Sequence, residues 1–164
     1  MHEMPVDETI ELIDAKGNFV APGFINVHIH GCDGVDTMDG TEKALGKMAQ
    51  ALPQTGVTSF LPTTMTYPFM DINKSLETIR TLMMAEGEGA RVLGCHLDGP
   101  FISKSFKGAQ AEKDIVPPDF SKIVKYKDVI KIITFAPEEV RSVDFFKGCR
   151  DNNILLSMGH SAVG

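Results

Sequence analysis

Five short apolar, β-branched runs punctuate the chain, at residues 24–30, 58–64, 92–98, 130–136 and 154–160. Each is about seven residues long, the usual length of a strand. Between several of them, apolar residues recur at helical spacing. Over 41–52, Ala44, Leu45, Met48 and Leu52 share a face, and Pro53 ends the pattern. Over 71–86 the face is Ile72, Leu76, Ile79, Leu82 and Met83, with Asp71 as candidate N-cap and Gly87 and Gly89 beyond the end. Over 138–151, Glu138 and Glu139 suit a helix N-terminus, and Val140, Val143 and Phe146 form the apolar face. The segment 99–126 breaks this rhythm. It holds Pro100, Gly108, Pro117 and Pro118 and is predicted to be a long loop with at most a short helix. Long loops in α/β domains are often functional.

The order is β-α-β-α-β-loop-β-α-β, which implies parallel strands joined by crossovers. An open doubly wound sheet and a closed barrel both satisfy it. The first run starts at residue 24 and the fifth at 154, a repeat of about 32 residues. Eight such units need about 260 residues, near the usual size of the barrel. The predicted fold class is therefore α/β, an incomplete (β/α)8 TIM-type barrel with about five parallel strands.

Composition narrows the function classes. Of 164 residues, 43% are hydrophobic and 23% charged, as in a soluble globular protein. Lys and Arg total 16 against 22 for Asp and Glu, a net charge of −6 with no basic run. Neither a nucleic acid nor an anionic membrane is an expected partner. No apolar stretch approaches the ~20 residues of a membrane span. The acidic start lacks the pattern of a secretory signal. Cys32, Cys95 and Cys149 form no CxxC pair. They read as reduced, buried thiols of a cytoplasmic protein.

The ends of the strands carry the chemistry. In the first run Asn26, His28 and His30 alternate with Ile25, Val27 and Ile29. Side chains two apart on a strand point the same way, ~6.6 Å apart. A barrel strand turns its apolar face to the helices, so the polar face points toward the mouth, where barrel active sites lie. His28 and His30 there suit a divalent cation. The third run ends in His96-Leu97-Asp98-Gly99-Pro100, and the fifth ends at His160. Asp98 alone reads as a turn residue before Gly-Pro, and His160 alone as a surface histidine. Together, His28, His30, Asp98 and His160 form a metal-ligand set of nitrogen and oxygen atoms without thiolate. That set suits Zn²⁺, Fe²⁺, Mn²⁺ or Co²⁺. Met65, Met70, Met83 and Met84 read as packing, and Lys43, Lys47, Glu86 and Glu88 as solvated faces. No nucleophile elbow, P-loop or dinucleotide fingerprint occurs.

Longer motifs add a resemblance. Residues 22–31 read Pro-Gly-Phe-Ile-Asn-Val-His-Ile-His-Gly, like the opening barrel strand of the amidohydrolase superfamily. The stretches at 56–64 and 96–102, Lys107-Gly108-Ala109-Gln110, Ala136-Pro137-Glu138 and Gly159-His160-Ser161 follow in order. Over residues 12–164 the chain resembles the N-acetylglucosamine-6-phosphate deacetylase family. The resemblance implies metal-dependent hydrolysis of the acetamide of N-acetylglucosamine 6-phosphate to glucosamine 6-phosphate and acetate. It implies Asp98 and His160 as metal ligands, with His28 and His30 for a second ion where two are used. One or two ions, Zn or Fe, are expected, and Ala109 and Gln110 are expected to contact the sugar. It also implies that residues 1–20 are a remnant of a small β-domain and 21–164 the first part of the barrel.

Three departures accompany it. The family has Glu where this chain has Asp98, which is shorter by ~1.5 Å. Only residues 9–20 match the small β-domain. The further metal-ligating His, the phosphate contacts and the general-base Asp are expected beyond Gly164. The isolated chain is thus expected to contain no general base and to be inactive, while the full-length protein is expected to be a homo-oligomer. Two other readings stand beside this one. One is another deacetylase or deaminase of the superfamily. The other is a non-catalytic short form that acts by association through open strand edges.

Overall fold

The protein, seen in a computed structural model, is described over residues 13–85 and 87–162. The first strand, β1 (Phe24–Ile29), runs into a tight antiparallel hairpin, β2 (Gly31–Cys32) and β3 (Val35–Asp36). Helix α1 (Glu42–Ala51), strand β4 (Val57–Pro62) and helix α2 (Phe69–Met84) follow. Then come β5 (Arg91–Val92), β6 (Cys95–Asp98), β7 (Ile130–Phe135), α3 (Val143–Asp151) and β8 (Leu155–Met158).

All long-range strand pairs are parallel. One sheet has the order β1-β4-β5 and the other β6-β7-β8. A parallel bridge between Thr63 and His96 joins them, and the Thr64 N–H donates to the His96 carbonyl at 3.0 Å. The strands therefore lie side by side in chain order. This is α/β architecture with parallel sheets, as the alternating pattern predicts.

The expected third strand, 92–98, is split. Its first part pairs with β4 and its second with β7. Gly94 makes the break, with φ at +152°. A Cβ there would lie 2.7 Å from the Val129 carbonyl oxygen and 2.5 Å from Lys131 Cγ. Only glycine lets the two backbones approach so closely.

Helices α1 and α2 bury the predicted faces, with Leu45, Met48, Ile72, Leu76 and Ile79 in the core. Thr41 caps α1, its hydroxyl accepting from the Ala44 N–H. Asp71 is not the N-cap of α2. That helix begins two residues earlier, after Pro68, and Asp71 sits in its first turn. The third helix also begins elsewhere. Glu138 and Glu139 lie in a separate short 3₁₀ turn, and Ser142 caps α3. The Glu138 carboxylate instead accepts from Ser161 Oγ at 2.7 Å and from the Ala162 N–H at 2.6 Å, tying down the chain after β8. The buried face of α3 is Phe145 and Cys149, while Val143 and Phe146 are exposed. Phe145 stacks on Phe101 and Phe135, with ring centroids 5.7 and 5.6 Å apart.

Met83 packs against the core, but Met70 and Met84 are exposed and do not serve as packing. Glu86 and residues 1–12, which cover most of the expected β-domain remnant, lie outside the described residues. Within that remnant residues 13–20 form a turn at Lys16 and Gly17 and no strand. The outer strands also differ from expectation. Ile25 and Val27 on β1 are 60% and 48% exposed, and Leu155 and Met158 on β8 are 67% and 73% exposed. Among the described residues each of these two strands is paired on one side only, β1 with β4 and β8 with β7.

Candidate metal centre

The parallel register brings three strand ends to one place. β1 delivers His28 and, one residue past its end, His30. β6 delivers Asp98, and the chain after β8 delivers His160. The Asp98 carboxylate is the hub. Its Oδ2 lies 3.5 Å from His30 Nε2, 3.8 Å from His160 Nε2 and 4.0 Å from His28 Nε2. The ligand atoms of His28, His30 and Asp98 all fall within 4.8 Å of one another. The four predicted ligands therefore meet at one site.

The second nitrogen of two of these rings fixes the tautomer. His30 Nδ1 faces the Thr63 carbonyl oxygen at 3.2 Å, and His160 Nδ1 faces the Phe106 carbonyl oxygen at 2.9 Å. A carbonyl only accepts, so each Nδ1 carries the proton. In their neutral form these rings present unprotonated Nε2 atoms toward Asp98, the form a metal requires, and in their protonated form Nε2–H faces the carboxylate as a donor. The Ile29 N–H donates to Thr63 Oγ1 at 2.8 Å and holds the end of β1 against β4. His160 adopts φ +50°, a left-handed backbone that a β-carbon disfavours. Its carbonyl accepts from the Ser103 N–H at 2.9 Å, which anchors that turn to the long loop.

Asp98 is almost fully buried, its side chain 3% exposed. Burial opposes its ionisation. The hydrogen bond from His30 and the charges of His160, His28 and His30 outweigh that and hold its carboxyl below the usual range. The same hydrogen bond raises the pKa of His30 above its ordinary value, against the effect of burial. Among the described residues, Asp98 Oδ1 has no hydrogen-bond partner. A buried, unpartnered carboxylate oxygen beside three imidazoles is a donor set waiting for a cation. Tetrahedral ligands at ~2.1 Å from zinc stand ~3.4 Å apart, close to the observed spacings. The residues fit a divalent ion.

His96 shares a strand face with Asp98 and plays a different part. Its Nδ1 donates to the Val27 carbonyl at 2.8 Å, and Thr134 Oγ1 donates to its Nε2 at 2.8 Å. Both nitrogens are taken, and burial lowers its pKa. It links β1, β6 and β7 as a neutral ring and stacks edge-on against His28, centroids 4.8 Å apart.

Ala109 and Gln110 line the same cavity but differ in burial. Ala109 is exposed and lines a cavity of about 430 Å³ with Tyr67, Asp71 and Lys113. Gln110 is buried against the centre, its Nε2 3.4 Å from both Asp98 Oδ2 and His160 Nε2. Sequence reasoning missed Thr66, whose N–H donates to Gln110 Oε1 at 2.7 Å and whose hydroxyl donates to the same atom. Its position just past a strand end was the only available signal.

Residues 19–151 match the model of the amidohydrolase family. The chain belongs to the amidohydrolase family. Members of this family are generally dependent on divalent metals, and the chain carries a His-His-Asp group of the right kind. It is 39% identical to an N-acetylglucosamine-6-phosphate deacetylase of Bacillus subtilis, over 97% of this chain and 42% of that protein. It is 31% identical to an N-acetylgalactosamine-6-phosphate deacetylase of Escherichia coli O157:H7, over 93% of this chain and 42% of that protein. The crystal structure of an N-acetylglucosamine-6-phosphate deacetylase from Pasteurella multocida superposes with a TM-score of 0.82 at 31% identity, over 95% of this chain and 41% of that one. The chain thus spans about two fifths of the length of these relatives. Among the described residues, no helix of this amidohydrolase is long and apolar enough to cross a membrane.

Proposed function

We propose that this amidohydrolase contributes the metal-holding part of a deacetylase acting on an N-acetylated hexosamine 6-phosphate, with N-acetylglucosamine 6-phosphate as substrate and glucosamine 6-phosphate and acetate as products. The observation that carries the reading is the meeting of three imidazole Nε2 atoms on one buried carboxylate, Asp98. The relatives' names supply the substrate class. Residues 21–164 are read as the first part of a (β/α)8 barrel with five strand positions, and residues 1–20 as a piece of a small β-domain.

His28, His30, Asp98 and His160 would hold the ion. When bound, a divalent ion, Zn²⁺ or Fe²⁺, supplies a Lewis acid for the amide carbonyl and an acidified water. The chain's own residues orient that chemistry. The Thr63 and Phe106 carbonyls fix the rings of His30 and His160. The Gln110 amide presents N–H groups to the same space, where a sugar hydroxyl or acetamide oxygen would accept them. Ala109 offers its exposed surface beside it. Asp98, committed to three imidazoles, is not free to act as the general base. That role falls to an Asp in the part of the relatives that this chain does not match. An amino-sugar phosphate partner, a cytoplasmic setting and a homo-oligomeric full-length protein complete the proposal.

The test joins residues 1–164 to the remaining length of the Bacillus subtilis relative and measures acetate release from N-acetylglucosamine 6-phosphate and N-acetylgalactosamine 6-phosphate. The joined protein is expected to be active with Zn²⁺ or Fe²⁺ and to lose activity with Asp98→Ala, while residues 1–164 alone release no acetate. A joined protein that folds, binds metal and releases acetate from neither sugar overturns the reading. Acetate release by residues 1–164 alone overturns the assignment of the base.

A further inference from the structure

Gln110 sits against the metal centre in one fixed orientation, and a residue 44 positions away sets it. We infer that Thr66 is a positioning residue of the centre: it fixes the side-chain amide of Gln110 so that the NH2 group, not the carbonyl oxygen, faces Asp98 and His160. This rests on reading the site as a metal centre.

The orientation follows from hydrogen-bond chemistry. The backbone N–H of Thr66 can only donate, so the Gln110 atom facing it at 2.7 Å must be an acceptor, the oxygen. The Thr66 hydroxyl converges on that same oxygen. Two donors on Oε1 leave Nε2 turned the other way, 3.4 Å from Asp98 Oδ2 and 3.4 Å from His160 Nε2. Thr66 and Gln110 are both buried, so water does not compete for these groups. The packing reinforces the lock. Gly99 has φ +82°, and a Cβ there would overlap Thr66 Oγ1 and lie 2.8 Å from Gln110 Oε1. The turn after Asp98 therefore needs glycine to let Thr66 and Gln110 meet.

The consequence is chemical. An amide carbonyl oxygen is a good ligand for divalent cations. An amide NH2 is not, because its lone pair is delocalised into the carbonyl. Thr66 turns the ligating atom of Gln110 away from the centre and offers donors in its place. One donor faces the carboxylate of Asp98 at 3.4 Å. The other faces the lone pair of His160 at the same 3.4 Å; at that length neither contact is a firm hydrogen bond, so both the carboxylate and the imidazole stay available to an ion. The ligand set is thereby kept to the imidazoles and one carboxylate. Outer partners that hold a ligating carboxylate in this way are typically worth ~10–100-fold in metal affinity.

Thr66→Val removes the hydroxyl while keeping shape, and Thr66→Ser restores it. Titration with Zn²⁺ against a fluorescent chelator is expected to show a Kd raised about tenfold in Thr66→Val and about unchanged in Thr66→Ser. Gln110→Ala is expected to cost at least as much. Thr66→Val added to Gln110→Ala is expected to cost nothing further, because Thr66 acts through Gln110. A residue needed only for folding would lower the melting temperature without this pattern. The metal-free protein gives an independent reading. The Gln110 side-chain NH2 is expected to give two dispersed proton signals by NMR in the wild type and Thr66→Ser, and to shift toward free-amide positions in Thr66→Val, which loses the hydroxyl but keeps the backbone N–H. An unchanged Kd in folded Thr66→Val, or an equal loss in the Gln110→Ala background, overturns the inference. An unaltered protein that binds no Zn²⁺ overturns the metal-centre reading instead, and the amide signals still decide whether Thr66 holds Gln110.

Discussion

The middle strand β6 and the outer strands β1 and β8 treat their residues differently. All four residues of β6 are buried, with β7 paired on one side and the bridge from Thr63, just past β4, on the other. β1 and β8 have partners on one side and leave Ile25, Val27, Leu155 and Met158 exposed. The proposed metal centre straddles this difference. Asp98 comes from the covered strand, while His28 and His160 come from the outer ones, with side chains 47% and 32% exposed. One half of the centre is held by the core, and the other half by a few hydrogen bonds at strand ends.

The sharpest way to test the contrast is to remove ligands from each half. Asp98→Ala is expected to weaken metal binding more than about 100-fold, since losses even outside the ligand shell reach that size. Asp98→Glu is expected to retain the metal, the longer side chain being the residue the deacetylase family uses. His30→Ala and His160→Ala should fall between, and His28→Ala should cost least. The rings of His30 and His160 are fixed by carbonyls, while His28 leans edge-on against His30 and His96. Metal stoichiometry after dialysis, with folding checked by circular dichroism, gives the order. Full occupancy in Asp98→Ala would remove Asp98 from the ligand set and return it to the role of a turn residue.

The same contrast predicts stability. Leu97 on β6 is wholly buried, and Leu97→Ala is expected to cost ~2–5 kcal/mol. Leu155→Ala on β8 is expected to change stability by less than about 0.5 kcal/mol, as exposed substitutions do. Denaturant unfolding measures both. Equal losses would mean that another surface covers β8 in solution. A polar substitution on the same strand, Met158→Gln, distinguishes that case, because it would then lower the oligomeric state seen by light scattering.

Much of this was legible in the sequence, for reasons that explain the exceptions. Alternation of period two in β1 put His28 and His30 on one side, and helical spacing gave the buried faces of α1 and α2. Both signals are local. The misses are where a distant partner decides. Glu138 and Glu139 look like a helix start, but the partners of Glu138 are at Ser161 and Ala162. Gly94 splits a strand because Val129 and Lys131 crowd it from β7 and the turn before it. Thr66 carries no signal beyond its place past a strand end, because its role exists only through Gln110. Ile25 and Val27 read as core because a strand pattern says which face is apolar, not whether anything covers it.

The smallest effect expected is also the one whose sign depends on the metal. In the metal-free protein the partnership with Asp98 raises the pKa of His30 above 6.5. A group with a raised folded pKa stabilises fully below its unfolded pKa and loses that contribution as pH rises through the folded one. Asp98, held below 3.8, contributes above that value and loses its contribution only in strong acid. His96, lowered by burial, stabilises above 6.5 and is level there. Between pH 6.5 and 8 the contribution of His30 falls, so the melting temperature in chelator is expected to fall slightly. With saturating Zn²⁺ it is expected to rise over the same interval, because imidazoles must lose their protons to ligate. His30→Gln should flatten the metal-free curve. A metal-free melting temperature that rises from pH 6.5 to 8 would mean that His30 and Asp98 do not share a proton in solution. The exposed half of the centre would then be loose until the ion arrives.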